Sequence, residues 1–448
     1  MDNTQEKLFK GIMDEESFRK LAAIKNGEVM AFIAETVNLC RPDKVWVGDD
    51  SEEDATYIRN LAISNAEEKP LHIKGHTIHF DGYFDQGRDK RVTKYLVPRG
   101  ETLDKKLSQM DRDEGMKEMN EFQGNAYNGR TMLVRFFSLG PTNTIFGIPC
   151  LQITDSAYVA HSEDLLYRKS YEAFKNMPEG TEFFKYRHCT GAVDNRMCSS
   201  DVDKKRIYMD YTRNTVLSVN TQYAGNTVGL KKLSLRLAIR RADREGWLAE
   251  HMFIMRSNGP NGRKTYFAGA FPSACGKTST AMIPGENIVG DDLAYFRVID
   301  NEFRAVNVEN GIFGIITDVN AKDDPVIFDI LNKPGEVIFT NVLVKDNKPY
   351  WIGMGTDIPE QGENYSGEWH TGAVGPDGKT TSPSHKNARY TVRMDALSNA
   401  DPDWDNPEGL KIDGIIYGGR DSDTDAPVRQ AYSWEHGICT MGATLESE

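Results

Sequence analysis

Apolar residues follow two different spacings in the first half of the chain. Intervals of three and four residues predict helices over residues 15–39 and 163–177. Runs rich in β-branched and aromatic residues, 131–139 (TMLVRFFSL) and 147–153 (GIPCLQI), predict strands joined by a loop. Residues 206–219 have the same composition and predict one long strand or a hairpin. The first half therefore mixes helices and strands.

The second half begins with a basic segment and continues with short apolar runs. Helical spacing predicts a helix over residues 230–247, and KTYFAGAF at 264–271 predicts a buried strand. A loop at 272–278 follows, and a helix is predicted from Thr278 onward. Further strands are predicted at 337–344 and 412–417, and the Gly- and Pro-rich residues 355–384 indicate a loop or a small insertion.

Length and pattern together predict an α/β protein with mixed sheets and two domains. A chain of 448 residues is longer than one ordinary compact domain. We place the boundary near Asn220, before the loop at 272–278. The predicted domains are residues 1–220 and residues 221–448.

Composition and charge exclude several classes of protein. A hydrophobic fraction of 39% and a charged fraction of 27% are typical of a folded globular chain. The net charge of -13 argues against nucleic-acid binding but permits a local basic cleft. The 6 cysteines form no C-x-x-C pair, which argues against a zinc ribbon and favours a reducing compartment. With no signal-like start and no long apolar run, we expect a cytoplasmic protein without membrane contact.

The sharpest chemical feature is the segment FPSACGKT, from Phe271 to Thr278. Between a strand and a helix, such a loop can direct backbone N–H groups at phosphate. Lys277 would reach the β- and γ-phosphates, and the Thr278 hydroxyl a divalent ion. The strict pattern has a glycine where this chain has Phe271, so a chance G-K-T at a strand–helix turn stays open.

Two adjacent carboxylates, Asp291 and Asp292, follow the apolar run Ile288-Val289. A carboxylate at a strand end can hold the metal of a bound nucleotide. A turn or a helix N-cap is the alternative. The G-K-T loop upstream favours a metal-binding role.

Several longer motifs point to one family. They are GRTMLVRFFSLGP at 129–141, YAGN at 223–226, GWLAEHM at 246–252, FPSACGKT, VGDDLAYFR at 289–297, NVENGIFG at 307–314, FTNV at 339–342 and IIYGGR at 415–420. In these motifs the chain resembles the GTP-dependent phosphoenolpyruvate carboxykinases, in family order from about residue 85 onward, with a loose match before residue 80.

The resemblance implies a fold and a reaction. The fold would be a carboxykinase fold, with an N-terminal substrate domain and a P-loop nucleotide- and metal-binding domain. The chain would be a carboxy-lyase that converts oxaloacetate and GTP to phosphoenolpyruvate, CO₂ and GDP, a step of gluconeogenesis. The resemblance implies catalytic Mn²⁺, Mg²⁺ or Mn²⁺ with the nucleotide, and a monomer. The alternative is a partial carboxykinase that binds metal and phosphate without turnover.

The resemblance also implies the metal ligands. The catalytic Mn²⁺ would be bound by Lys232, His251 and Asp292, and the nucleotide's ion by Thr278. A lysine can bind a metal only as the neutral amine, so its pKa must fall under the influence of the ion and of neighbours such as Lys231. A solvated helix face for the two lysines and a satisfied buried histidine are the alternatives.

Substrate and nucleotide residues follow from the same resemblance. Guanidinium groups suit a substrate that carries carboxylate and phosphate. Cys275, Lys277 and Arg420 are the catalytic candidates, and Cys275 has the alternative of a small side chain chosen for fit. Arg91 is a rival of Arg88, and each arginine has the alternative of a surface ion pair. The implied substrate residues are Arg88, Tyr223, Gly225, Ser273, Asn387 and Arg389, and the nucleotide residues are Ala274, Cys275, Gly276, Lys277, Thr278, Ser279, Arg389 and Arg420.

The chain departs from the family pattern in three places. Ala224 replaces a glycine, and its methyl either crowds the carboxylate site or is tolerated at negative φ. Ser279 replaces the usual asparagine after the loop. We also expect the chain to stop before the family's mobile lid and guanine pocket, which would leave base selectivity without support.

Overall fold

The structure, a computed structural model, describes residues 1–227, 231–271, 277–418 and 431–441. Its helices follow the helical apolar spacing, and Asp, Asn or Ser side chains cap most of the longer ones in the first half. Within these residues the helices are α1 (Asn3–Lys10), α2 (Glu15–Ala23), α3 (Gly27–Cys40), α4 (Glu52–Ser64), α5 (Arg112–Gln123), α6 (Ala157–Leu166), α7 (Tyr171–Asn176), α8 (Ala224–Thr227), α9 (Lys232–Glu245), α10 (Lys277–Ala281), α11 (Pro325–Ile330) and α12 (Trp434–His436).

The strands divide into those before and those after α8. The earlier strands are β1 (Lys44–Val47), β2 (Lys69–Pro70), β3 (His76–His79), β4 (Thr93–Val97), β5 (Gln109–Asp111), β6 (Thr131–Leu139), β7 (Ile148–Thr154), β8 (Arg168–Lys169), β9 (Phe184–Cys189), β10 (Arg206–Asp210) and β11 (Thr215–Val219). The later strands are β12 (Leu248–Glu250), β13 (Phe253–Asn258), β14 (Lys264–Ala270), β15 (Asn287–Gly290), β16 (Ala294–Ile299), β17 (Glu302–Asn307), β18 (Gly311–Ile315), β19 (Val337–Thr340), β20 (Leu343–Lys345), β21 (Lys348–Tyr350), β22 (Gln361–Asn364), β23 (Gly367–His370), β24 (Arg389–Arg393), β25 (Leu410–Lys411) and β26 (Gly414–Tyr417).

A nine-stranded mixed sheet forms the centre of the first half. Its order is β1-β6-β7-β9-β11-β10-β4-β5, with β8 added beside β6. Helices α2, α3, α5 and α7 pack against it through buried apolar residues such as Phe136 and Leu151, and α4 joins Leu133 of β6 in a smaller cluster. Strands β10 and β11 pair antiparallel, from Arg206 opposite Val219 to Asp210 opposite Thr215. The predicted segment 206–219 is therefore a hairpin rather than one strand.

Two predicted helices are each divided in the structure. Residues 15–39 form α2 and α3, because the Asn26 side chain accepts hydrogen bonds from Glu28 N and Val29 N and starts a new helix. Residues 163–177 are divided by β8, and the first helix of this region begins earlier, at Ala157, where the Ser156 hydroxyl caps it. The predictions of continuous helices were wrong because periodicity alone does not show an internal cap.

Four smaller sheets build the second half. Two of them, β12-β16-β17-β25 and β15-β13-β14-β26, carry the predicted phosphate and metal region. A third, β18-β24-β19-β3-β2, includes two strands from the first 220 residues. The fourth, β21-β20-β22-β23, occupies part of the predicted loop or insertion at 355–384. The mixed α/β class is confirmed, and the boundary at residue 220 stays a prediction.

The helices of the described residues include none that combines the length and apolar character needed to cross a bilayer.

A buried histidine on α6 ties the two halves together. His161 contacts Glu68 Oε1 through Nδ1 at 2.8 Å and Glu336 Oε1 through Nε2 at 3.1 Å. Burial favours the neutral ring, but the two carboxylates outweigh burial and raise the pKa of His161 to about 10. Both ring nitrogens therefore donate, and α6 is held between two acidic side chains.

Replacing His161 with glutamine is expected to lower Tm by about 3–6 °C at about pH 6, with a smaller effect at about pH 9.5. The folded pKa lies above the unfolded value of about 6.5, so the stabilisation is complete below pH 6.5 and is lost as the pH rises toward 10. Calorimetry at the two pH values measures it. His76→Gln is the control: burial lowers the pKa of His76 to about 4, below the unfolded value, so its destabilising effect should be no larger at about pH 6 than at about pH 9.5. An unchanged His161→Gln shift between the two pH values would contradict the charged assignment.

Candidate active site

The predicted phosphate loop lies between a strand and a helix, as expected. Strand β14 leads into it and α10 begins at Lys277, with Thr278 partly buried and Ser279 exposed. Strand β26 runs parallel to β14, and Gly418 N donates to Ala270 O at 3.0 Å. A Cβ at Gly418 would lie 2.6 Å from the Phe271 ring, so only glycine permits this approach.

Five predicted site residues lie outside the described residues. They are Ser273, Ala274, Cys275, Gly276 and Arg420. Their roles stay predictions. The described residues that precede them, Phe271 and Gly418, lie beside each other at the ends of the parallel strands β14 and β26.

The predicted metal ligands His251 and Asp292 meet at the start of α10. His251 follows β12 and Asp292 follows β15, and His251 Nε2 lies 2.7 Å from Asp292 Oδ1. Lys277 Nζ contacts Asp292 Oδ1 and lies 2.9 Å from His251 Nε2. Burial opposes ionisation of Asp292, but Lys277 and His251 hold its pKa well below the usual range. Burial also lowers the pKa of His251, which favours the neutral imidazole beside this carboxylate.

This cluster fits a bound cation. Nε2 of one tautomer cannot both accept from Lys277 and donate to Asp292. All three side chains are satisfied if His251 Nε2 and Asp292 Oδ1 both accept hydrogen bonds from one cation. In this structure that cation is the Lys277 ammonium. A divalent ion prefers the same neutral imidazole nitrogen and carboxylate oxygen. Among the described residues no group of three or more His, Cys, Asp or Glu side chains could hold a metal ion, so a third ligand from these residues would be of another type.

Lysine 232 has the properties that such a third ligand needs. It is the first residue of α9 and is partly buried. Burial lowers its pKa to about 8, and Arg88, Lys277 and Lys231 act in the same direction. The neutral amine is therefore within reach near neutral pH. Lys231 is only 5% exposed and pairs with Glu309 at 2.7 Å, which rules out the solvated helix face for that residue.

Three predicted substrate residues form one hydrogen-bonded cluster. Tyr223 Oη accepts from Asn387 Nδ2 at 3.1 Å and from Arg389 Nη2 at 3.3 Å. Arg389 Nη2 also donates to Asn387 Oδ1 at 2.7 Å. The Arg389 guanidinium lies over the Phe313 ring, 5.0 Å from its centroid. Sequence reasoning missed Phe313, although it lies within the motif NVENGIFG.

The two rival arginines have different surroundings. Arg91 has an 89% exposed side chain and pairs with Asp89 at 2.8 Å, which is a surface ion pair. Arg88 is also exposed, but desolvation by the surrounding protein lowers its pKa to about 10, and its charge interacts with Tyr223, Asp292 and Arg389. The geometry therefore favours Arg88 as the arginine that faces an anion.

The short helix α8 accepts alanine at its first residue but requires glycine at its second. Ala224 is buried in a helical turn and is absent from the described residues with positive φ, so its methyl group is tolerated. At Gly225 a Cβ would lie 2.4 Å from Tyr223 Cε1. The structure thus separates the two positions that the family pattern treats alike.

Together, these features place the chain in the class of nucleotide- and metal-binding α/β proteins with a P-loop. Comparison with known families makes the assignment narrower. Residues 31–243 match the description "Phosphoenolpyruvate carboxykinase N-terminal domain", and residues 247–448 match "Phosphoenolpyruvate carboxykinase C-terminal P-loop domain".

Curated relatives agree along almost the whole chain. Phosphoenolpyruvate carboxykinase [GTP] of Pyrococcus abyssi is 56% identical over 440 residues, which are 98% of this chain and 71% of the relative. The protein of the same name from Saccharolobus solfataricus is 46% identical over 96% of this chain and 68% of the relative. That of an Anaeromyxobacter species is 33% identical over 94% of this chain and 71% of the relative. The chain belongs to the GTP-dependent phosphoenolpyruvate carboxykinase family.

Proposed function

We propose that the chain catalyses the reversible conversion of oxaloacetate and GTP to phosphoenolpyruvate, CO₂ and GDP. The observation that carries the proposal is the convergence of His251, Asp292 and the loop lysine Lys277 on one point. Decarboxylation and phosphoryl transfer both place negative charge near such a point. Family membership over nearly the full chain favours this enzyme over a partial carboxykinase without turnover.

The family implies a nucleotide substrate and a divalent metal, and we assign Mn²⁺ to Lys232, His251 and Asp292. When bound there, the ion would act as a Lewis acid for the charge that develops on the substrate oxygen as CO₂ leaves. Thr278 would contact a second ion, Mg²⁺ or Mn²⁺, that accompanies the nucleotide. Mg²⁺ prefers oxygen ligands, so the two nitrogen donors favour a transition-metal ion such as Mn²⁺ over Mg²⁺ at this site.

The surrounding side chains would bind the substrate and the phosphates of the nucleotide. Arg88, Asn387 and Arg389 would bind the substrate's anionic groups, with Tyr223 and the backbone at Gly225 beside the carboxylate. Lys277 would leave His251 and Asp292 when the nucleotide arrives and hold its β- and γ-phosphates. With Lys277 and the predicted Arg420 on the moving phosphoryl group, no protein nucleophile is required.

Replacing Arg389 with lysine is expected to raise KM for oxaloacetate by about 10–30-fold, with a smaller rise in KM for GTP because Arg389 is also an implied nucleotide residue. A lysine keeps the charge but cannot reproduce the fork that contacts Tyr223, Asn387 and an anion together. Steady-state kinetics with each substrate varied in turn measures the effect. Arg393→Lys is the matched control on the same strand, because Arg393 pairs with Asp395 at 2.9 Å near the surface. Equal KM values in the two variants would contradict the substrate role.

The reverse reaction tests the proposed function. Phosphoenolpyruvate, bicarbonate and Mn²⁺ are mixed with the purified chain and either GDP or ADP, and oxaloacetate is detected by malate dehydrogenase and NADH. NADH oxidation with GDP, and much less with ADP, is the expected result. Binding of GDP and Mn²⁺ without oxaloacetate would instead support the partial carboxykinase.

A further inference from the structure

The loop between β3 and β4 does more than carry Arg88. Three residues before that arginine lies Asp85, which is fully buried. Asp85 contacts the segment Thr221 to Tyr223, more than 130 residues later in the chain. Sequence reasoning singled out the run DQGRDKR only for its arginines, and the site described above gives Asp85 no role.

Both carboxylate oxygens of Asp85 are used. Oδ1 accepts from Lys205 Nζ at 3.0 Å and from the Thr221 hydroxyl at 2.8 Å. Oδ2 accepts from the backbone N–H of Gln222 at 2.6 Å and from that of Tyr223 at 3.1 Å. Four donors therefore converge on one buried carboxylate, and Lys205 balances its charge.

A histidine contacts the Thr221–Tyr223 backbone from the side opposite Asp85. His188 Nε2 lies 2.8 Å from the carbonyl oxygen of Thr221, and only an N–H can satisfy that oxygen. His188 Nδ1 then accepts from the Thr154 hydroxyl at 2.8 Å. The backbone that presents the Tyr223 ring is thus fixed through its carbonyl on one side and its amides on the other.

The residues between Asp85 and Arg88 contact the rest of the substrate cluster. The carbonyl oxygen of Gln86 accepts from Asn387 Nδ2 at 2.8 Å. The carbonyl oxygen of Gly87 accepts from Asn226 Nδ2 at 3.4 Å. One short loop therefore carries Arg88 and contacts both segments that carry the other proposed substrate residues, Tyr223 and Asn387.

We infer that Asp85 is a positioning residue that sets the separation between Arg88 and the Tyr223–Asn387–Arg389 cluster, and thereby the affinity for the substrate's anionic groups. The inference rests on the proposed function, because it takes this cluster as the substrate site. Asp85 itself is buried and acts through the two segments that it joins, the loop that carries Arg88 and the segment Thr221 to Tyr223. Its loss should leave the Lys277, His251 and Asp292 cluster, and with it nucleotide and metal binding, largely unchanged.

Replacing Asp85 with alanine is expected to raise KM for oxaloacetate by about 30-fold or more, with KM for GTP and Mn²⁺ affinity within about threefold of wild type. Asp85→Asn should recover part of the loss, because its remaining oxygen can still accept from the amides of Gln222 and Tyr223. Asp54→Asn is the control for burial, since Asp54 is a buried carboxylate that pairs with Lys20 at 2.7 Å on the N-terminal helices. That variant should lower Tm without raising KM for oxaloacetate relative to KM for GTP.

A purely structural role would overturn the inference: KM for oxaloacetate and for GTP would then change together, with a Tm loss like that of Asp54→Asn. If Asp85→Ala does not fold, Thr221→Val removes one donor to Asp85 at nearly constant shape and should raise only KM for oxaloacetate, by about threefold. Calorimetric binding of phosphoenolpyruvate, with Mn²⁺ present, separates this inference from the proposed function. A wild-type chain that binds phosphoenolpyruvate without turnover, and an Asp85→Ala chain that binds it more weakly, would support the inference alone.

Discussion

Replacing His251 with alanine is expected to lower the rate of phosphoenolpyruvate formation by about 10³-fold or more, while GTP binding stays within about threefold of wild type. His251 lies 2.7 Å from Asp292, and the two supply the imidazole nitrogen and carboxylate oxygen of the proposed Mn²⁺ site. Without the imidazole, the ion that offsets charge during decarboxylation is bound weakly or displaced. The measurements are product formation, Mn²⁺ binding by electron paramagnetic resonance, and GTP binding by calorimetry.

The pattern of losses identifies the role of His251. Pyruvate, the product of decarboxylation without phosphoryl transfer, should disappear together with phosphoenolpyruvate, and Mn²⁺ affinity should fall. High Mn²⁺ in the assay should restore part of the rate. Equal loss of GTP binding and decarboxylation, with unchanged Mn²⁺ affinity, would contradict the assignment of His251 as a metal ligand.

Replacing Lys277 with methionine is expected to lower phosphoenolpyruvate formation by a similar factor of about 10³. In contrast to His251→Ala, GTP binding should weaken while Mn²⁺ binding is kept. Lys277 contacts Asp292 and His251 in the structure and is the predicted phosphate-loop lysine. Its loss removes a positive charge from the metal ligands, so Mn²⁺ should bind at least as tightly as in wild type. GTP should bind more weakly, and pyruvate formation from oxaloacetate should persist.

Lys277→Arg serves as the control for charge alone. It keeps a cation near Asp292 but replaces a compact ammonium by a planar fork, so it should recover little phosphoryl transfer. Phosphoenolpyruvate formation within about tenfold of wild type in Lys277→Met would show that another residue performs the phosphate role.

Local composition predicted those parts of the fold that depend on near neighbours. The strand at 131–139 has the predicted bounds, and the strand and helix around the phosphate loop lie where the apolar run and G-K-T place them. The helices at 15–39 and 163–177 were predicted without their interruptions. Asn26 caps a new helix within 15–39, and the short strand β8 interrupts 163–177. An apolar period shows neither which polar residue becomes a cap nor a strand between two helices.

The sequence also predicted some residues of the candidate site and missed others. His251, Lys277 and Asp292 were predicted and lie together, although their roles stay proposals. Choosing Arg88 over Arg91 required the structure, because both are exposed and only their charged neighbours distinguish them: Asp89 for Arg91, and the group around Tyr223 and Asp292 for Arg88. Asp85 was missed because its donors lie 120 to 138 residues away along the chain. No spacing rule connects residues at that separation.

The most direct test of the central claim is the turnover of oxaloacetate by the purified chain with Mn²⁺, with and without GTP, with phosphoenolpyruvate and pyruvate measured separately. The proposed single site predicts phosphoenolpyruvate only when GTP is present, and loss of both products in His251→Ala. Pyruvate alone, whether or not GTP is added, would contradict the claim that this chain couples decarboxylation to phosphoryl transfer.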